Sequence, residues 1–450
     1  MLSRLYEPEA FGTMASFTGL VVIVATLATG RYEIAIPLAK SRVDAANLLV
    51  LAATITIVFS ALSLAVVALF RGQISTVLNT PDLADWLWLA PLALLATAWA
   101  EIGKYWVTRE RAFGTLSLSN VGRSVVALMV QLAVGIRATA IAGGLITGQV
   151  VGAVLAPAVL LRGVGAGGLQ SIWAAASRAE MRRLANEYAE LPRRSFSVFL
   201  NRLSTVALPL VLAAQIDPVS AGLVMLSQRI VVLPVQVFGQ AIWQVAHARL
   251  GPLDERDRRR FLRAVNQYSC ALYGLPMVAV GMFAYLSSSL FGPEWGDLEL
   301  IIPMVAFMTY INAVSNSVSY WAVSGMYREE SRTNILLVVV RLGSVAAAGA
   351  FFGLVGVVGA YCAASSLLYL GVYVFWGRHL RMLRLFLAHL IAVPVVCLAM
   401  LTPVRVLAGD HLVAAGVGAT LVGAAYLALM TRSMSRDDGL RAGGEINADW

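Results

Sequence analysis

Long apolar runs, each broken by a short polar or basic stretch, repeat along the chain from residue 12 to residue 431. Each run is close to the ~20 residues that a helix needs to cross a ~30 Å hydrocarbon core. The pattern predicts thirteen spanning helices, over 12–30, 45–70, 85–107, 117–137, 140–162, 196–214, 219–247, 266–291, 299–323, 331–351, 354–377, 383–403 and 411–431. The end of the first is ambiguous, because Pro37-Leu38 and the charges at 31 and 33 follow it directly. The expected fold class is therefore an all-α polytopic membrane protein.

The polar breaks are not equivalent. Taken alternately, one set of connections (31–44, 104–116, 162–195, 248–265, 324–332, 378–384 and 432–450) carries 26 of the 34 Lys+Arg. The other set carries four, Arg4, Arg71, Arg137 and Arg405, and the last four, Arg123, Arg202, Arg229 and Arg341, lie within helices. The positive-inside rule places the richer set, and with it the C-terminus, in the cytoplasm. With thirteen helices the N-terminus is then external, and nothing before residue 12 would drive its translocation. One helix missing from the front would resolve this, with Arg4–Gly12 an external loop between a lost helix and the present first one; the alternative is that the short, weakly charged N-terminus translocates unaided.

Composition agrees. Hydrophobic residues make up 59% of the chain and charged residues 13%, where a soluble domain is about a quarter charged. The net charge of +9 is thus a topology signal, and nucleic acid is not an expected partner. Cys270, Cys362 and Cys397 all fall in apolar stretches, so neither a disulfide framework nor a metal site is expected. No cofactor is expected. The four histidines (His247, His379, His389, His411) are scattered and the external loops are short, which argues against a catalytic glycan polymerase, ligase or glycosyltransferase.

Three spacings coincide. Pro8-Glu-Ala-Phe-Gly12 and Pro218-Val-Ser-Ala-Gly222 lie 210 residues apart, Tyr105-Trp106 and Tyr320-Trp321 lie 215 apart, and Asn120 and Asn334 lie 214 apart. They predict two six-helix lobes in parallel repeat. The expected layout is an N-terminal lobe over 1–162, a cytoplasmic linker over 163–195, a C-terminal lobe over 196–377, two further helices over 378–431 and a cytoplasmic tail over 432–450. The linker core AAASRAEMRRLANEYAE predicts an amphipathic surface helix. The preceding RGVGAGG lacks the Lys-Ser/Thr of a P-loop and the strand of a dinucleotide site, and reads as a flexible exit.

Ionisable groups inside the membrane are costly, ~2.5–3.5 kcal/mol each at the centre, and so point to partners or a wet cavity. Arg31, Glu33, Glu101, Lys104, Arg123 and Arg202 sit in the cytoplasmic thirds of their helices, where snorkelling accounts for them equally well. Arg229 and Arg341 lie about ten residues into theirs, roughly 15 Å deep. Gln236, Gln240 and Gln244 continue one face from Arg229, and Asn312, Asn316 and Ser319 form another stripe. Such stripes also serve as plain interhelical hydrogen bonds. With two deep arginines beside them, an aqueous cationic cavity is expected, matched to a hydroxyl-rich anion such as a phosphorylated glycan.

Several stretches resemble a known family. RLYEPEAFG (4–12) is similar to its Arg-Leu-Tyr-x-Pro-x-x-Phe-Gly loop. RYEIAIPL (31–38) with DAANLLVL (44–51), YAELP (188–192) with Asn201, LSQRIVVLP (226–234) and FGPEW (291–295) are similar to further segments, with Leu191 replacing a Phe. The chain resembles the polysaccharide-biosynthesis (O-antigen type) lipid-linked oligosaccharide flippases of the multidrug/oligosaccharidyl-lipid/polysaccharide exporter superfamily. That family places an additional helix before the Arg-Leu-Tyr loop, which puts the completeness of the first lobe here in doubt. The resemblance implies two lobes around a central cavity in the cell membrane. It implies movement of polyprenyl-diphosphate-linked oligosaccharide to the external leaflet for O-antigen, capsule or exopolysaccharide. Expected cavity residues are Arg229, Arg341, Gln236, Gln240, Asn312 and Asn316. Arg31, Arg123 and Arg202 are expected at the cytoplasmic mouth. Glu33 and Glu101 are candidates for ion coupling, with pairing to nearby Arg or Lys the stronger reading. Expected partners are lipid-linked oligosaccharide, membrane lipids and polymerase or chain-length machinery. A peptidoglycan-precursor flippase and a multidrug antiporter share the fold and stand as alternatives.

Overall fold

The computed structural model describes residues 2–408 except 138–141, 165–169, 171, 173, 233–234, 236–253, 325 and 350, together with residue 418. The described residues are helical throughout, with no β-strand among them. The principal helices are α1 (Pro8–Ala28), α2 (Arg42–Val77), α3 (Ala90–Arg109), α4 (Phe113–Arg137), α5 (Ala142–Val164), α6 (Arg178–Glu187) and α7 (Glu190–Gln215). They are followed by α8 (Pro218–Val232), α9 (Glu255–Met282), α10 (Leu298–Val318), α11 (Tyr327–Gly349), α12 (Leu354–His379) and α13 (Leu383–Ala408). Among the described residues nine helices are long and apolar enough to cross a membrane, or ten if Glu255–Met282 and Ala284–Phe291, bent by 46°, form one span. Phe199–Gln215 and Pro218–Val232 are shorter apolar helices. The chain is a polytopic helical membrane protein. Apart from residues 235 and 418, the expected helix at 411–431 and the part of 219–247 beyond residue 232 lie outside the described residues.

Packing gathers the chain into two compact units. The first is Met1–Leu226 with Glu330–Gly356, and the second is Ser227–Glu329 with Val357–Trp450. The first thus takes in two stretches of the expected second lobe.

In the first unit α4 and α5 form a close hairpin. Gly148 and Gly152 face Ala127 and the backbone of Arg123, and a Cβ on Gly152 would lie 2.6 Å from the Arg123 carbonyl oxygen. Small residues at four-residue spacing let two membrane helices approach in this way. The starts of α1 and α8 meet more closely still. A Cβ on Gly12 would overlap the Pro218 carbonyl, and a Cβ on Gly222 would overlap the Pro8 carbonyl. The two Pro-x-x-x-Gly segments are therefore in reciprocal contact. Each proline sits at the start of its helix, where a missing N–H costs nothing, and Asp217 caps α8 by accepting from the Ser220 N–H at 2.6 Å.

The linker helix α6 docks on the start of α2. Buried Asn47 donates to the Ala175 carbonyl at 3.0 Å and accepts from the Ser177 N–H at 2.8 Å. Arg183 reaches Asp44 at 2.6 Å, Glu180 at 2.8 Å and Glu187 at 2.9 Å, while Lys40 pairs with Glu187 at 3.0 Å. Exposed ion pairs contribute little, so Asn47 and buried Leu184 set the docking. Asn47→Ala should cost about 1–3 kcal/mol, since it strands two backbone groups. It should also speed tryptic cleavage within Arg178–Glu187. Cleavage at the wild-type rate would mean that the linker is held by other contacts.

In the second unit α13 packs on α9 through Val393, Cys397 and Met400, which cluster with Ala271, Leu275 and Val278, and Val393 is seated against Gly274. Pro394 has no N–H to offer the Leu390 carbonyl one turn back. The Tyr310 hydroxyl of α10 donates to it instead, at 3.1 Å. Beside it, buried Asn266 accepts from the Tyr373 hydroxyl at 2.7 Å and lies 3.3 Å from His389 Nδ1.

Candidate functional site

The loop that carries Arg31 and Glu33 follows α1. Gly30 (φ +60°) and Arg31 (φ +62°) are both left-handed. Glycine takes that conformation at no steric cost, whereas Arg31 carries strain of about 1–2 kcal/mol. The turn throws the chain into a 3₁₀ segment, Tyr32–Leu38. Arg109, at the end of α3, holds this segment by donating through Nη1 to the carbonyls of Ile36 (3.1 Å), Pro37 (3.3 Å) and Ala39 (2.8 Å).

The clamp seats Glu33 inside the protein, at 2% exposure. Its Oε1 pairs with Arg31 Nη1 at 3.2 Å, and its Oε2 is buried with no hydrogen-bond partner. Burial pushes the Glu33 carboxyl above the usual carboxylate range, and the Arg31 charge opposes this only in part. Such a group adds full stability below its ordinary titration range, and that stability is lost as pH rises through the raised value. Thermal unfolding in detergent should therefore occur at lower temperature as pH rises above the ordinary carboxylate range, and Glu33→Gln should flatten the slope. The same slope in the variant would assign it to another group.

Around Glu33 lie residues far apart in sequence. Glu101 pairs with Lys104 at 2.7 Å on α3. Tyr105, one residue on, is within electrostatic reach of Glu33, Arg31, Glu101 and Arg202, and Arg123 is within reach of Glu101. Arg31 and Arg202 thus share Tyr105 as an electrostatic neighbour with Glu33 and Glu101, and Arg123 joins them only through Glu101. Tyr105, which has Glu33, Arg31, Glu101 and Arg202 as electrostatic neighbours, reads in the sequence only as part of the repeat.

Deeper in the same unit, Arg341 of α11 is 1% exposed. Its Nη1 lies 3.0 Å from Asn201 Oδ1, 3.1 Å from Ser204 Oγ and 3.1 Å from Thr205 Oγ1, all on α7. Ser204 and Thr205 went unnoticed in the sequence. Their spacing from Asn201, three and four residues, is the signal that would have revealed them. Because Asn201 and Arg202 are adjacent, α7 carries both a partner of Arg341 and an arginine within electrostatic reach of Tyr105.

Arg229 lies in α8, partly buried, and belongs to the second unit. Asn312 and Asn316 are neighbours on α10 in that unit, with the Asn316 amide donating to Asn312. Gln236 and Gln240 lie outside the described residues. Among the described residues no group of three or more His, Cys, Asp or Glu could hold a metal ion.

Among curated proteins none matches the chain. Solved structures share its fold, two of them over most of this chain. One is the lipid II flippase MurJ in an inward closed conformation, with TM-score 0.65 and 14% identity, covering 97% of this chain and 96% of that one. The other is an inward-facing multidrug resistance MATE family transporter of the MOP superfamily, with TM-score 0.62 and 14% identity, covering 85% and 93%. At such identity the likeness is one of fold. Sequence goes further, since the profile of the polysaccharide biosynthesis protein family matches residues 1–300. The chain, with its loop-borne Glu33 cluster and α7 both inside that match, belongs to the polysaccharide biosynthesis protein family.

Proposed function

We propose that the protein is a flippase that moves polyprenyl-diphosphate-linked oligosaccharide from the cytoplasmic to the external leaflet. The glycan is destined for O-antigen, capsule or exopolysaccharide. The observation that carries this is Arg341, a guanidinium buried in a membrane helix and ringed at Nη1 by neutral oxygens, in a member of a polysaccharide biosynthesis family. A buried cation of this kind favours an anionic cargo over the organic cations of a drug exporter.

The basic loops and the C-terminus are cytoplasmic. Arg31, Arg123 and Arg202 receive the diphosphate at the mouth, with Glu33 and Glu101 balancing their charge. Arg341 and Arg229 hold it at depth, and Gln236, Gln240, Asn312 and Asn316 meet the sugar hydroxyls. The prenyl tail stays in lipid, and rocking of two lobes turns the cavity outward. A peptidoglycan-precursor cargo is the second reading. It is favoured by the near-complete overlap with a structure named as a lipid II flippase.

Deletion of the gene in its host, with radiolabelled glycan lipids followed by leaflet-specific accessibility, tests both. The proposal expects lipid-linked oligosaccharide to accumulate on the cytoplasmic side, with rescue by wild type and none by Arg229→Ala combined with Arg341→Ala. Accumulation of the peptidoglycan precursor instead would establish the second reading. Unchanged level and sidedness of both would overturn flipping of either.

A further inference from the structure

The mouth around Tyr105 has a counterpart in the second unit. Tyr320, which stands 215 residues on, is buried and within electrostatic reach of Arg258, Glu255 and Arg259 at the start of α9. Arg259 Nη2 pairs with Glu255 at 2.5 Å, and His379 is within reach of Glu255. In both units, therefore, the tyrosine of a Tyr-Trp pair sits among two arginines and at least one glutamate at a basic helix end.

The second cluster is built on aromatic rings. Trp376 packs its ring 4.3 Å from Tyr320, is fully buried, and has an indole N–H with no hydrogen-bond partner. Trp321, Phe375 and His379 form a ladder, with centroids 5.6 Å and 6.1 Å apart and planes within 20° and 12°. The ladder opens onto an exposed stripe of α12 at four-residue spacing. Leu367 is 69% exposed, Phe375 40% exposed, and nothing stands within 4 Å of Gly371. An apolar exposed stripe on a spanning helix faces lipid chains, and aromatic rings at its end lie at headgroup level. The first turns of α9 add Arg256, Arg258, Arg259, Arg260 and Arg263 against Asp254, Glu255 and Asp257, a net basic surface.

We propose that this end of the second unit binds an anionic membrane phospholipid. Arg258 and Arg259 engage the phosphate oxygens, whose geometry suits guanidinium. The Tyr320 hydroxyl and the Trp376 indole N–H supply further donors, and the acyl chains lie along Leu367, Gly371 and Phe375. The lipid is one of the membrane's own and not the cargo, so the site stands whether or not the protein flips glycans.

The test uses the purified full-length chain in mixed micelles and native mass spectrometry, with phosphatidylglycerol and phosphatidylcholine of identical acyl chains. Wild type should retain phosphatidylglycerol about tenfold better than phosphatidylcholine, the scale of one charge-assisted contact. Arg258→Gln with Arg259→Gln should abolish that preference. Trp376→Phe, which keeps a six-membered aromatic ring and removes the indole N–H with its five-membered ring, should weaken it, and it serves as the test if the double variant does not fold. Arg260→Gln, on the same helix but paired outward with Asp257 at 3.8 Å, should leave it unchanged. The proposal is overturned if Arg260→Gln weakens binding as much as the double variant, which would make the effect bulk charge. It is equally overturned if the double variant and Trp376→Phe both bind as wild type. Displacement of phosphatidylglycerol by equimolar inorganic pyrophosphate would assign the site to a free anion and overturn the lipid.

Discussion

Valine at Gly12 should be among the most damaging single substitutions in the protein, costing about 3 kcal/mol or more. Ordinary overpacking in a core is relieved by rotating a side chain, at about 1–3 kcal/mol. Here the obstacle is the Pro218 carbonyl, which belongs to backbone and moves only if α8 moves. Alanine at Gly12 should already cost about 1–3 kcal/mol, and alanine at Gly222, against the Pro8 carbonyl, should cost a similar amount. Reciprocity gives the sharper expectation. Whichever alanine comes first must part the two helix starts, and that parting makes room for the second. The double variant should thus be less destabilised than the two singles together, by about 1 kcal/mol. Thermal unfolding of the four proteins in one detergent closes the cycle. Strict additivity, or single alanines within about 0.5 kcal/mol of wild type, would show that the contact is looser than the geometry requires.

Arg341→Met should separate function from stability. The substitution forfeits hydrogen bonds worth about 1.5–3 kcal/mol each to a charged donor. Of the three acceptors facing Nη1, the two protons there can satisfy only two at a time. Against this loss, removing a buried charge from the membrane interior returns ~2.5–3.5 kcal/mol. The terms largely cancel, so stability should fall by no more than about 3 kcal/mol. Transport should drop at least tenfold if the guanidinium meets the cargo phosphate, because one charge-assisted contact is about that large. Lysine should rescue only in part, as a point charge without the planar fork. The measurement is cytoplasmic accumulation of labelled glycan lipid beside a melting curve of the same variant. Wild-type transport by Arg341→Met would make the arginine a structural peg.

Much of this architecture is legible in the residues, because a spanning helix announces itself by length and apolarity alone. α2, α4, α5 and α12 fall where the hydropathy places them. The pairing of Pro8–Gly12 with Pro218–Gly222 was readable as a repeat, although nothing in the sequence says that the two copies touch. What escaped reading depends on contacts across long separations. Asn47 looked like one letter of a family segment, yet its amide pins the linker 128 and 130 residues away. The histidines looked scattered, yet His389 meets Asn266 at a separation of 123. Glu33 looked like a snorkelling candidate. Its burial comes from Arg109 gripping three carbonyls, and periodicity cannot report such a grip.

The 36 residues of α2, Arg42–Val77, make a rod about 54 Å long. Its apolar middle outruns a hydrocarbon layer of ~30 Å. Such a rod must lean, or the bilayer around it must thicken, at fractions of a kcal/mol per Å of mismatch. Arg71 stacks on Trp88 at 5.1 Å near its far end and resists being drawn inward. The protein should therefore be sensitive to acyl length, and long-chain lipids should let α2 stand more upright than short-chain ones do.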